Sequence, residues 1–148
     1  MEEKNKAWKT VSSKYLFRRP WLTVRCEDML LPNGNHIPEY YILEYPDWVN
    51  TIAITKEGKF VFVCQYRPGI GRTCYELCAG VCEKEDASPL VSAQRELWEE
   101  TGYGNGNWQE YMVISANPST HTILTYCCLA PDVELIDHQH LEATEDLS

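Results

Sequence analysis

The sequence lacks three features that would place the protein in a special class. No apolar run approaches the roughly 18 residues that a membrane-spanning helix needs, so we expect no membrane partner. The first ten residues, MEEKNKAWKT, do not resemble the apolar core of a secretory signal peptide. Cationic residues are in the minority, with 13 Lys and Arg against 22 Asp and Glu and a net charge of −9. Because basic surfaces supply most of the affinity for nucleic acids, we expect no nucleic-acid partner either.

The remaining composition is that of an ordinary globular chain. It has 148 residues, of which 44% are hydrophobic, and this length is expected to fold around one core. Its seven cysteines are an odd number, and without an export signal we interpret them as reduced thiols of a cytoplasmic protein. Cys74, Cys78 and Cys82 are spaced by four residues, whereas zinc sites usually contain more closely spaced pairs. We therefore interpret these cysteines as small, half-buried hydrophobic residues and not as metal ligands.

The pattern of apolar residues predicts a strand-rich chain of the α+β class. Residues 1–14 are polar and expected to be frayed, whereas 15–44 have a β-like pattern with a hairpin turn at Pro32–Asn35. A second β meander is predicted over 49–65, and two later strands over 108–115 and 122–129.

One helix is predicted between these strands, over Pro89–Thr101. Ser88 is a suitable N-cap, Pro89 suits the first helical position, and Gly102 can end the helix. We divide the chain into a β-rich segment, 1–45, and a main domain, 46–148. The sequence stops where a new element is expected to begin. We therefore expect the main domain to lack C-terminal elements, whether by trimming or in its natural form.

Three glutamates lie on one face of the predicted helix. At 100° per residue, Glu96, Glu99 and Glu100 fall within an arc of about 100°. The neighbouring arc, which would face a sheet, is apolar and consists of Leu90, Ala93 and Leu97. Carboxylates this close repel one another, but a hard divalent cation that prefers oxygen ligands makes the arrangement favourable. A solvated acidic face is the ordinary alternative.

Gly80, Asp86 and the run Arg95–Tyr103 together resemble the Nudix box, the signature of the Nudix hydrolase superfamily. The pattern is G-x5-D followed by RELWEETGY, and the helical half matches without a gap. Gly80 and Arg95 are one position further apart than usual, so the loop before Ser88 has an extra residue. Asp86 stands where the family has Glu, and the extra residue leaves the helix register unchanged.

The resemblance implies a Nudix-type α/β/α sandwich with a mixed sheet, preceded by an N-terminal antiparallel β segment. It implies a Mg²⁺ cofactor, replaceable by Mn²⁺, whose ligands are Glu96, Glu99, Glu100 and the main-chain carbonyl of Ala79. Arg95 would orient the glutamates through a salt bridge, and Arg95 and Glu99 are both counted among the catalytic residues. A cation suits an acidic protein that acts on phosphates, because it neutralises charge that would repel an attacking water.

The stretch before the box resembles the ADP-ribose pyrophosphatases, a Nudix subfamily that hydrolyses nucleoside diphosphate sugars. The match extends from Gln65 to Gly80 and includes the late proline Pro118. It implies that Arg67 clamps a phosphate and that Glu76 faces the ligand. A surface salt bridge is the alternative for Arg67.

The same resemblance assigns roles to residues at both ends of the chain. Trp21 would stack on adenine, with a hairpin core position as its alternative. The catalytic base would come from the late acidic loop, where Glu145 matches best and Glu142 is the reserve. Both glutamates could instead be solvated charges. His138 and His140 lie in the same loop, and we interpret them as a solvated pair.

The expected function is Mg²⁺-dependent hydrolysis of the diphosphate of ADP-ribose or a related nucleoside diphosphate sugar, giving AMP and ribose 5-phosphate. One alternative is a hydrolase of another nucleotide sugar or of nucleoside triphosphates. Another is a non-catalytic Nudix sensor of ADP-ribose-like ligands. The resemblance also implies a homodimer, to which the segment 1–45 would contribute.

Overall fold

The computed structural model describes residues 6–148, which form two compact units. The first unit comprises residues 6–45 and Ser115–Ile123, and the second comprises Pro46–Ile114 and Leu124–Ser148. The division at residue 45 that we drew from the sequence stays a prediction. Among the described residues, no helix is long and apolar enough to span a membrane.

The first unit is built on a three-stranded antiparallel sheet in the order β1-β2-β3. Its strands are β1 (Lys9–Arg19), β2 (Leu22–Leu30) and β3 (His36–Glu44). Strand β1 begins at Lys9, so the prediction of a frayed segment is wrong for residues 9–14, and residues 1–5 lie outside the described part. Every residue of β1 is exposed, and backbone pairing with β2 defines the strand, which explains why its sequence shows no buried face.

The second unit contains a mixed sheet in the order β7-β4-β10-β8, with β9 paired to β10. Strands β4 and β10 pair in parallel and the other neighbours are antiparallel. A separate hairpin consists of β5 and β6. The strands are β4 (Trp48–Thr55), β5 (Val63–Arg67), β6 (Arg72–Glu76), β7 (Cys78–Val81), β8 (Tyr103–Gly104), β9 (Gln109–Ile114) and β10 (Thr125–Leu135).

The single α-helix of the described residues, α1 (Pro89–Thr101), has the predicted bounds. Ser88 caps it, because its side chain accepts the Val91 N–H, and Gly102 ends it with a positive φ of 73°. The apolar face of α1 packs against β4, β7 and β10, and Ala93 and Leu97 are fully buried there. This packing fixes which helical face remains available for chemistry.

The predicted α+β class is confirmed, as are the mixed sheet and the antiparallel strands that precede it. Strand β4 alternates buried and half-buried residues and supplies Val49 and Ala53 to the core. At the other end of the unit, Leu147 is buried and pairs with Gln65 of β5. The last described residues are thus part of the second unit.

Candidate active site

Helix α1 presents the three predicted glutamates along one face, at increasing depth. The side chain of Glu99 is 33% exposed and that of Glu96 is 12% exposed, while Glu100 is 4% exposed as a residue. Two carboxylates are therefore largely removed from water, which is costly unless charged or hydrogen-bonding partners compensate. The partners of each glutamate consequently define what the site can bind.

Arg95 provides one of these partners and connects the helix to the preceding loop. Its Nη1 donates to Glu96 Oε1 at 3.0 Å and to Glu99 Oε2 at 2.9 Å. Its Nη2 donates to Asp86 Oδ2 and to the Val81 carbonyl, both at 3.0 Å. The fixed fork of a guanidinium makes such simultaneous contacts possible, so Arg95 holds two glutamates in a set orientation.

Asp86 reaches Arg95 in spite of the extra loop residue. Burial acts to raise the pKa of Asp86, but hydrogen bonds from Arg95 and Ser92 outweigh it and hold this pKa below its ordinary value. The carboxylate therefore stays ionised and opposes the guanidinium charge. Asp86 thus anchors Arg95 from the side opposite to the glutamates, which Arg95 in turn orients.

Gly80 lies directly against the Glu96 carboxylate. A Cβ built at Gly80 would overlap Glu96 Cδ and both carboxylate oxygens. Strand β7 can therefore approach the glutamate face only because residue 80 has no side chain. This close approach also places the neighbouring Ala79 backbone beside the glutamates.

Glu100 is held from strand β7 by neutral donors. The Cys78 thiol donates to Glu100 Oε2 at 2.7 Å, and the Ala79 N–H donates to the same oxygen at 3.2 Å. Burial raises the pKa of Cys78, so the thiol stays protonated and can serve as a donor. The sequence predicts Cys78 only as a small hydrophobic residue, because a cysteine next to Ala-Gly gives no recognisable signal of this contact.

Burial and crowding perturb the deep carboxylates. Burial raises the pKa of Glu96 to about 7; Arg95 lowers it, and the charges of Glu100 and Glu99 raise it. Burial also raises the pKa of Glu100, although Cys78 and the Ala79 amide oppose that shift. One guanidinium serves two of the glutamates, and the hydrogen bonds that Glu100 accepts from the described residues come from neutral donors. A set of oxygen ligands with this excess of negative charge fits a hard divalent cation.

Arg67 at the end of β5 and Glu76 at the end of β6 form an ion pair, although they are not register partners in the β5–β6 hairpin. Arg67 Nε and Nη2 donate to Glu76 Oε2 at 2.9 and 2.6 Å. The two predicted ligand-binding residues thus contact each other, in the salt bridge that was the alternative for Arg67. Its charge also acts on Glu100, which places Arg67 on the same side of the second unit as the glutamates.

The loop after β10 returns to the C-terminal end of α1 and carries the two candidate bases. Glu142 N–H donates to Glu145 Oε2 at 2.9 Å, and the charge of Glu145 raises the pKa of Glu100. Glu145 therefore lies within electrostatic reach of the buried glutamate. The structure associates Glu142 with this site only through Glu145.

Trp21 belongs to the first unit, where it forms the turn between β1 and β2. It is 72% exposed, so it is not a core residue of the hairpin. An exposed indole at a turn is available for stacking. Its role toward a ligand stays a prediction.

Two family models match the chain in succession. The model described as the nucleoside diphosphate sugar hydrolase N-terminal domain matches residues 8–43, and the NUDIX domain model matches residues 45–146. The second match covers more than half of the chain. The second match includes every residue of the second unit described above as part of the candidate site.

Curated relatives and a solved structure agree with these matches. An ADP-ribose pyrophosphatase of Bacillus subtilis is 31% identical over 138 residues, which are 93% of this chain and 73% of that protein. A methanol dehydrogenase activator of Bacillus methanolicus is 40% identical over 95 residues, 64% of this chain and 50% of that protein. The structure of an ADP compounds hydrolase superposes with a TM-score of 0.84 over 99% of this chain and 78% of that one. At 19% identity it supports the fold alone.

Proposed function

The chain belongs to the Nudix hydrolase superfamily, and on this premise we propose Mg²⁺-dependent cleavage of the diphosphate of ADP-ribose or a related nucleoside diphosphate sugar. The observation that supports the proposal most is the set of carboxylates on α1. Glu96 and Glu100 are largely buried, crowded and short of cationic partners. Such a set favours binding of a divalent cation, which would neutralise the charge of the diphosphate during hydrolysis.

The residues that would hold the cation are Glu96, Glu99, Glu100 and the carbonyl of Ala79. In such a site a divalent cation supplies charge neutralisation of the diphosphate and acidification of a water molecule. Arg95 keeps Glu96 and Glu99 oriented through its two Nη1 contacts. Magnesium is the member of this class that we propose, because it prefers oxygen ligands from few carboxylates together with substrate phosphates; Mn²⁺ would substitute.

The remaining residues serve the substrate and the proton. Arg67 Nη1 would contact a phosphate oxygen, while Glu76 holds the Nε and Nη2 edge of the guanidinium. Glu145 would accept a proton from the attacking water, a role supported by the electrostatic effect of its charge on Glu100. Water attacks one phosphorus, the bond from that phosphorus to the bridging oxygen breaks, and the products are AMP and ribose 5-phosphate.

The choice of a nucleoside diphosphate sugar is supported by the match at residues 8–43 and by the name of the Bacillus subtilis relative. The exposed Trp21 would stack on the adenine ring. A homodimer and a cytoplasmic location are further proposals that rest on the family resemblance.

A mass-spectrometric time course with ADP-ribose and Mg²⁺ tests the proposal. We expect AMP to appear, and to disappear with a chelator or in Glu100→Gln. The matched control is Glu110→Gln, an exposed glutamate of β9, which should retain activity. If ADP-ribose stays intact while another nucleotide sugar or a nucleoside triphosphate is hydrolysed, the proposed substrate is wrong. Tight binding of ADP-ribose without any turnover would favour a sensor.

A further inference from the structure

We propose that Asp137, His138 and His140 form a second metal site, which takes a borderline transition-metal ion, with Zn²⁺ as the ion of choice. The three residues lie in the loop after β10 and are not members of the glutamate face on α1. This inference does not depend on hydrolase activity. It revises our interpretation of the two histidines as a solvated pair.

The three side chains lie close together. One ligand atom from each lies within 4.8 Å of the other two. Asp137 Oδ1 is 2.7 Å from His138 Nδ1, and Asp137 Oδ2 is 3.0 Å from His140 Nε2. Ligands of tetrahedral zinc, with bonds of about 2.0 Å, lie roughly 3.3 Å apart, so small side-chain adjustments would admit the ion.

The types of ligand separate this site from the first one. Two imidazoles and one carboxylate suit Zn²⁺, Ni²⁺, Co²⁺ or Cu²⁺, whereas Mg²⁺ prefers oxygen ligands alone. His138 is 79% exposed in its side chain and Asp137 is 39% exposed, so an ion has a path from solvent and water can complete the coordination. The two sites thus differ in their ligands, with oxygen ligands for a hard cation on α1 and imidazole with carboxylate for a borderline cation after β10.

His140 is held in place before any metal binds. The backbone N–H of His140 donates to the Glu99 carbonyl at 2.8 Å, and the imidazole ring stacks on Trp98 with centroids 4.1 Å apart. The neighbouring Gln139 donates to the Glu100 carbonyl at 2.7 Å. These contacts satisfy carbonyls at the end of α1 that have no helical partner. They also reduce the entropy that would be lost when the ligand set is ordered.

Asp137 is tied to the same helix end. Its N–H donates to the Gly102 carbonyl at 3.1 Å, and its carboxylate accepts the His138 N–H at 2.8 Å. A bound ion would therefore join the end of α1 to the loop that continues to Glu142 and Glu145. Its structural effect would be to stiffen the segment that carries the candidate bases.

Calorimetric titration with Zn²⁺, in the presence of saturating Mg²⁺ to occupy the glutamate face, tests the proposal. We expect about one Zn²⁺ per chain, and a loss of affinity of about tenfold or more in His138→Gln and His140→Gln. The matched control is His36→Gln, a histidine of the first unit, which should bind like the parent protein. Equal binding by all four proteins, or no binding, would overturn the site.

Two spectroscopic measurements distinguish metal binding at the proposed site from metal binding by the seven free thiols. Co²⁺ in the proposed site should show no thiolate-to-metal charge-transfer band, and such a band as the main spectrum would contradict the assignment. Ni²⁺ held beside the His140 ring should quench the fluorescence of the stacked Trp98, and Trp98→Phe should remove that quenching. Quenching that persists in Trp98→Phe and in His140→Gln would also overturn the proposal.

Discussion

The thiol of Cys78 donates a hydrogen bond to the buried carboxylate of Glu100, with 2.7 Å between Sγ and Oε2. Both groups are removed from water, Cys78 completely. Among the described residues, the Cys78 thiol and the Ala79 amide donate to the same oxygen, Oε2, so the thiol helps to fix which carboxylate oxygen faces away from β7. A buried cysteine thus serves the glutamate face as a positioning residue.

Replacing Cys78 tests this positioning. Cys78→Ala leaves Glu100 with one donor fewer, and we expect the free energy of unfolding to fall by about 1–3 kcal/mol. Cys78→Ser keeps a donor at nearly the same place and should retain more of the affinity for the divalent cation. Urea unfolding and calorimetric Mg²⁺ titration measure the two effects. Equal Mg²⁺ affinity in both variants would mean that the contact serves packing alone.

Gly80→Ala should displace the Glu96 carboxylate, because the new Cβ would overlap it. A misplacement of about 1 Å in a catalytic group can cost roughly 100-fold in rate, and we expect a loss of that order in kcat. Gly69→Ala is the control, since a Cβ there meets nothing within 4 Å. Steady-state assays with circular dichroism as a check on folding would decide. Full activity of Gly80→Ala contradicts the close approach of strand and helix.

Arg95→Lys should weaken the site although it conserves the charge. A single ammonium cannot reproduce the contacts that the guanidinium makes with Asp86, Glu96 and Glu99. We expect roughly a tenfold or greater loss of Mg²⁺ affinity, in line with removal of a group that orients metal ligands. Asp86→Asn should produce a smaller loss of the same kind. Calorimetry measures both, and a parent-like affinity of Arg95→Lys would exclude an orienting role.

The metal-free protein should lose stability as pH rises from about 4.5 to 7. The folded-state pKa of Glu96 is raised to about 7, above its ordinary value of 4.5, so the folded state holds this proton more tightly. By linkage, the stability that this tightly held proton contributes is complete below pH 4.5 and is lost above pH 7. This contribution to the free energy of unfolding is at most about 3 kcal/mol. Urea unfolding in a chelator at several pH values measures the slope. Glu96→Gln should flatten it, and an unchanged slope would refute the shift.

Replacing the two candidate bases, Glu145 and Glu142, should have different effects on kcat. Glu145→Gln removes the carboxylate that acts electrostatically on Glu100, and general-base catalysis is worth about 10²–10⁴-fold in rate. Glu142→Gln keeps the backbone N–H that Glu145 accepts, so it should change kcat little. Rates at saturating substrate compare the variants. The reverse order would transfer the role to Glu142.

The bounds of the helix and the face that carries the glutamates follow from local sequence signals. Ser88, Pro89 and Gly102 are local signals, and the bounds of α1 follow from them without reference to the rest of the chain. The position of Glu96 relative to Glu100 follows from helical geometry alone. The sequence motif likewise identified the family, because RELWEETGY is contiguous.

The partners of these residues depend on how distant parts of the chain pack together. Strand β1 shows no buried face, so its start at Lys9 could be found only from its pairing with β2. Cys78 contacts Glu100 across 22 residues of sequence, and His140 contacts the end of α1 across about 40. Such contacts depend on how strands pack against a helix, and no local pattern of residues encodes them. For that reason the placement of the three glutamates on one helical face was predictable, whereas their hydrogen-bond donors and the cluster of Asp137, His138 and His140 were not.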